Sequence, residues 1–145
     1  MTVSTSDVLS PDSREGAVLR ERAAAAMSQA YAPYSGFRVG AALLGADGSV
    51  SEGCNVENAS YPAGLCAERA AVAAAVSRGV RDFVAIVICT EADVPTPPCG
   101  ICRQVLMEFA PQLAVLSVTR GGAVAQWSIS DLLPQAFTPT SLGRR

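Results

Sequence analysis

Phe83-Val84-Ala85-Ile86-Val87-Ile88-Cys89, followed by the proline-rich Pro95-Thr96-Pro97-Pro98 and then by Cys99 to Phe109, is the stretch that decides the fold. An apolar run of this kind, unbroken by a polar residue, reads as a strand buried on both faces. The prolines end it, and the segment beyond them reads as a helix broken at Pro111. A buried strand, a loop and a helix in succession form the unit of an α/β protein.

Upstream, Asp12 or Ser13 caps a helix predicted to reach about Tyr31, with Val18, Leu19, the segment Arg22 to Ala26 and Met27 facing the core. Ala32-Pro33-Tyr34-Ser35-Gly36 breaks it. Arg38 to Leu44 and Val50 to Val56 read as strands joined by an Asp47-Gly48 hairpin turn. Asn58 to Gly64, with Pro62, is a loop that feeds a helix from Cys66 to Ser77, which stops at Arg78-Gly79. Downstream, Leu113 to Val118 and Ala123 to Trp127 are strands around Gly121-Gly122, and Ile129 to Leu133 is a short last helix. The order predicts an α/β fold, a three-layer α/β/α sandwich around a mixed five-stranded sheet. Residues 1–12 read as an N-terminal tail and 13–145 as a single domain, since 145 residues suffice for one core and not for two.

Half of the residues are apolar and 17% are charged, which suits a compact globule and predicts that other subunits bury part of its surface. The net charge is −2, and all eleven basic residues are arginines without a run longer than Arg144-Arg145. A chain that grips a phosphate backbone carries a basic stripe, so the expectation is a small-molecule partner and no nucleic acid. Met1 to Asp12 lacks the charged start and apolar centre of a signal peptide, and no apolar run approaches the roughly 20 residues that span a bilayer. A cytoplasmic protein without a membrane partner is expected. In that compartment five cysteines point to metal binding or catalysis rather than to disulfides.

Cys66-Ala67-Glu68 and Pro98-Cys99-Gly100-Ile101-Cys102 each stand where a loop becomes a helix. Thiolate is the zinc-binding form of cysteine, and a helix N-terminus favours it through free N–H groups and the dipole. Cys99 and Cys102 can aim two sulfurs at one ion and Cys66 a third, which leaves a fourth position open as in catalytic zinc sites. With no histidine in the chain, an imidazole cannot close it. Cys54 and Cys89 read as small buried residues. The Cys99/Cys102 pair alone also fits a structural zinc knuckle, and Glu68 alone also fits a carboxylate that merely favours its helix start. Together they match a ligand-x-Glu segment followed by Pro-Cys-x-x-Cys, the pattern of zinc deaminases with three cysteine ligands.

On these motifs the chain resembles the homotetrameric cytidine deaminases over nearly its whole length. The matching segments are Pro33 to Leu43, Gly53 to Tyr61, Cys66 to Arg69, Pro98 to Gln104 and Leu132 to Phe137. The resemblance implies one Zn²⁺ per subunit on Cys66, Cys99 and Cys102, with Glu68 as the proton shuttle. It implies that Asn55 and Glu57 bind the ribose 3′-hydroxyl, that Phe37 stacks on the pyrimidine and that the Ala67 and Cys99 backbones orient the ring. Ala59, Tyr61 and Phe137 would reach a neighbouring subunit's site, so that a homotetramer shares its active sites. Three thiolates give zinc a net −1 shell, which weakens its pull on water; Arg69 offsets that by donating to the sulfurs, and Gln104 is a similar outer donor.

The expected activity is hydrolytic deamination of cytidine and 2′-deoxycytidine to uridine and 2′-deoxyuridine with release of ammonia. Three alternatives remain at this stage: deamination of a related cytosine nucleoside such as a nucleoside antibiotic, polynucleotide editing, and a structural zinc module without catalysis.

Overall fold

The computed structural model describes residues 5–144. Five strands, β1 (Val39–Gly45), β2 (Val50–Cys54), β3 (Phe83–Thr90), β4 (Ala114–Thr119) and β5 (Val124–Ser128), form one sheet in the order β2-β1-β3-β4-β5. Only β3 and β4 pair in parallel; the other neighbours are antiparallel. The sheet is therefore mixed, as expected. Its helices are α1 (Thr5–Val8), α2 (Arg14–Met27), α3 (Ala67–Ser77), α4 (Gly100–Phe109) and α5 (Ile129–Leu132).

Strand alternation sorts the core into two layers, because successive side chains point to opposite faces. Leu43, Ile86, Ile88 and Val115 face Ala67, Ala71 and Val72 of α3 and Leu106 of α4. Leu44, Val87 and Leu116 face Leu19, Ala23 and Met27 of α2. The uninterrupted apolar run of β3 thus feeds both layers, which is why it carries no polar residue before Thr90.

Two glycines bring the helices down onto the sheet. A Cβ at Gly40 would lie 2.0 Å from the Ala23 carbonyl, and one at Gly53 would lie 2.3 Å from the Ala67 carbonyl and 2.5 Å from the Ala71 amide. Only glycine permits such approaches. Gly53 matters most for the site, since it seats the first turn of α3 against β2.

Several boundaries differ from those predicted. Ser13 caps α2, its hydroxyl accepting from the Gly16 amide at 2.9 Å, but the helix ends at Met27 and not near Tyr31. Tyr31 is drawn out of helical conformation by long-range pairing: its amide donates to the Asn55 carbonyl at 3.0 Å and its carbonyl accepts from Glu57 at 2.8 Å. Strand β2 stops at Cys54, and Val56 instead bridges Leu65. Part of the segment read as a tail packs on the body, since Thr5–Val8 is helical and Leu9 is buried among Leu19 and Ala23. Among the described residues no helix is long and apolar enough to cross a membrane.

Candidate active site

Cys66 and Cys99 occupy the capping positions of α3 and α4, in extended conformation, and Cys102 lies in the first turn of α4. The two helices contact each other and present their N-termini together. Among the described residues, these three cysteines form the group that could hold a metal ion, with all sulfurs within 4.8 Å of one another. The Cys66 and Cys99 sulfurs stand 3.8 Å apart. Tetrahedral zinc with Zn–S bonds of about 2.3 Å requires sulfurs roughly 3.8 Å apart, so the cluster fits the ion. Cys89 belongs to the core layer on the other face of the sheet and Cys54 ends β2; neither joins the group.

The electrostatics agree with a cation site. Cys66 is drawn down to about 5, chiefly by hydrogen bonding with Cys102 and further by Arg69 and Cys99, against the opposing effect of burial. Cys102 is pushed up by the same sharing with Cys66 and by its own burial. One thiolate thus forms readily, and a divalent cation stabilises the others by replacing their protons. Arg69 donates from Nη2 to the Cys66 sulfur at 3.6 Å and to the Gly64 carbonyl at 3.4 Å, while its buried Nε finds no partner among the described residues. Its guanidinium lies where excess negative charge on the sulfurs would be offset.

Glu68 is 5% exposed, an unusual burial for a carboxyl group, and its Oε2 lies 3.7 Å from the Cys102 sulfur. Burial holds its proton affinity above the ordinary carboxyl range, and the nearby Cys66 thiolate adds to this. The carboxyl is thus held beside the cysteine cluster.

A cavity of about 280 Å³ opens on this corner. Cys66, Ala67, Glu68 and Cys99 line it together with Phe37, Asn55 and Glu57, so seven of the predicted residues converge on one space. Asn55 is held from both ends: its Oδ1 accepts from the Val39 amide at 2.8 Å and its Nδ2 donates to the Phe37 carbonyl at 2.7 Å. Glu57 accepts through Oε1 from the Tyr34 and Ser35 amides at 2.9 and 3.1 Å, and through Oε2 from the Ser35 hydroxyl. Ser35's hydroxyl is the main reason that Glu57 is held below its ordinary range.

Other predicted residues lie apart from this cavity. Tyr61 and Phe137 are 77% and 61% exposed, and Ala59 is exposed as well. Tyr61 instead packs edge-on against Tyr34 beside a second cavity of about 380 Å³, which Ser35 and Glu57 also border. Gln104 donates from Nε2 to the Phe137 carbonyl at 2.8 Å and so ties α4 to the C-terminal segment.

Ser35 and Thr90 also line the cavity, and neither was singled out from the sequence. A serine in a Pro-Tyr-Ser-Gly turn is a signal for local hydroxyl bonding, which could have marked Ser35. Thr90 carries no such signal. It is fully buried and its hydroxyl has no partner among the described residues.

A mixed sheet that sets three thiols and a buried carboxyl at paired helix N-termini offers the donor set of a zinc site with an acid–base group beside it. Comparison with known proteins makes this specific. The family described as the cytidine and deoxycytidylate deaminase zinc-binding region matches residues 14–118. A cytidine deaminase of Halalkalibacterium halodurans is 48% identical over 122 residues, covering 83% of this chain and 92% of that one. One from Sporosarcina psychrophila is 45% identical over 118 residues, covering 81% and 87%. The crystal structure of cytidine deaminase from Burkholderia pseudomallei superposes with a TM-score of 0.81 at 50% identity, over 83% of this chain and 98% of that chain. The chain belongs to the cytidine and deoxycytidylate deaminase family.

Proposed function

We propose that this protein converts cytidine and 2′-deoxycytidine to uridine and 2′-deoxyuridine by hydrolysis, releasing ammonia, as a cytoplasmic enzyme of pyrimidine salvage. The observation that carries the reading is the buried Glu68 beside the cysteine cluster, in one cavity with Asn55, Glu57 and Phe37. Cys66, Cys99 and Cys102 would hold the zinc ion, which when bound would supply the Lewis acidity that makes water nucleophilic near neutral pH.

Within that reading, Glu68 takes a proton from the attacking water and delivers it to ring N3 as the oxygen bonds to C4. It then moves the second proton from that oxygen to the departing amine. One carboxyl group therefore acts as base and then as acid. The Ala67 and Cys99 backbones hold the ring against the cluster, Phe37 stacks on it, and Asn55 with Glu57 takes the 3′-hydroxyl. Arg69 keeps the three sulfurs from quenching the ion's charge. The exposed Ala59, Tyr61 and Phe137 complete the pocket of a neighbouring subunit, so the active form is a homotetramer built from one catalytic domain, residues 13–145, onto which the preceding segment packs through Leu9.

Glu68→Gln tests the assignment directly. The expected variant binds one zinc per chain and assembles like the wild type, while cytidine turnover falls by roughly 10² to 10⁴. Unchanged turnover would overturn the reading.

A further inference from the structure

Ser35 stands between two functional elements. Its hydroxyl carries one proton, which it donates to Glu57 Oε2, and its oxygen accepts the Phe37 amide at 3.0 Å. The result is a directed chain from the Phe37 backbone through Ser35 to the Glu57 carboxylate. No other side chain touches both ends of it among the hydrogen bonds of the described residues. The surrounding turn is closed independently, because the Gly36 amide donates to the Ala32 carbonyl at 3.0 Å and Gly36 adopts a φ of 68°. Ser35, like Glu57, borders both the 280 Å³ and the 380 Å³ cavity.

We propose that Ser35 is a positioning residue that couples recognition of the sugar at Glu57 to placement of Phe37 against the base. The inference rests on the reading of Asn55 and Glu57 as the sugar-binding pair. A 3′-hydroxyl is bound well only if Glu57 is fixed; the Tyr34 and Ser35 amides hold Oε1, and the Ser35 hydroxyl holds Oε2 with the same group that anchors the Phe37 amide. Removing that hydroxyl loosens both contacts at once. A substrate without the 3′-hydroxyl has only the Phe37 contact left to lose.

The test compares cytidine with 3′-deoxycytidine in the zinc-loaded wild type, Ser35→Ala and Ser35→Thr. For Ser35→Ala, kcat/KM on cytidine is expected to fall about tenfold, carried mainly by KM, and on 3′-deoxycytidine only about twofold. Ser35→Thr keeps the hydroxyl and stays within about threefold of wild type on cytidine. Equal losses on the two substrates, no loss, or a lowered melting temperature with unchanged KM overturns the coupling while leaving the deaminase reading intact. A wild type that turns over both substrates at the same rate overturns the sugar-pair assignment and the coupling with it.

Discussion

The sulfurs of Cys66 and Cys99 lie 3.8 Å apart although 33 positions separate the residues, and each residue caps a helix. The contact exists because α3 is pressed onto β2 at Gly53 while the loop after β3 returns the chain to the start of α4. A zinc ion on these sulfurs would therefore link two elements that local sequence does not hold together.

Metal removal should be visible in stability. A ligand that binds the folded state alone adds about 2.7 kcal/mol at a hundredfold excess over its Kd. Chelator-treated protein is expected to melt several degrees below the zinc-loaded form by calorimetry. Cys102→Ser, which removes the fully buried ligand, should lose stoichiometric zinc and abolish most of that difference.

Gly53→Ala places a methyl group within 2.3 Å of the Ala67 carbonyl, so the first turn of α3 must move. Overpacking of this kind costs about 1–3 kcal/mol. Gly40→Ala produces a comparable clash with α2, on the face away from the cysteines. Both variants should melt lower, and only Gly53→Ala should also weaken zinc binding in a competition titration. Equal zinc affinity in the two would refute a role for Gly53 in seating the cluster.

Arg69→Gln removes the guanidinium beside the Cys66 sulfur. Losing such an outer partner typically costs about 10- to 100-fold in metal affinity or activity. The combined readout of zinc affinity and kcat should fall in that range, and Arg69→Lys should recover only part of it because an ammonium lacks the planar fork.

Thr90→Val tests the unpartnered hydroxyl of a fully buried side chain. Replacing an unpaired polar group by an apolar one of the same shape is nearly neutral or stabilising. Chemical denaturation should show equal or greater stability; a loss above about 1 kcal/mol would reveal that this hydroxyl is used in the folded protein.

Much of the site was legible because it depends on local chemistry. Cysteine at a helix start, a glutamate two residues later and a pair of further cysteines three positions apart can be read without knowing the fold. The apolar run of β3 and the Ser13 cap are legible for the same reason: periodicity and capping act over a few residues. The end of α2, the bond of Gln104 to the Phe137 carbonyl and the link from Glu57 through Ser35 to Phe37 were not. Each depends on a partner more than 20 positions away, brought near by the pairing of β2, β1 and β3 or by the return of the C-terminal segment. The amino-acid sequence by itself determined which groups could bind zinc and carry protons. Only the tertiary structure decided that Cys66, Glu68 and Cys99 share one cavity with Asn55, Glu57 and Phe37, because the sheet register and the glycine contacts set the distances between segments that no local rule connects.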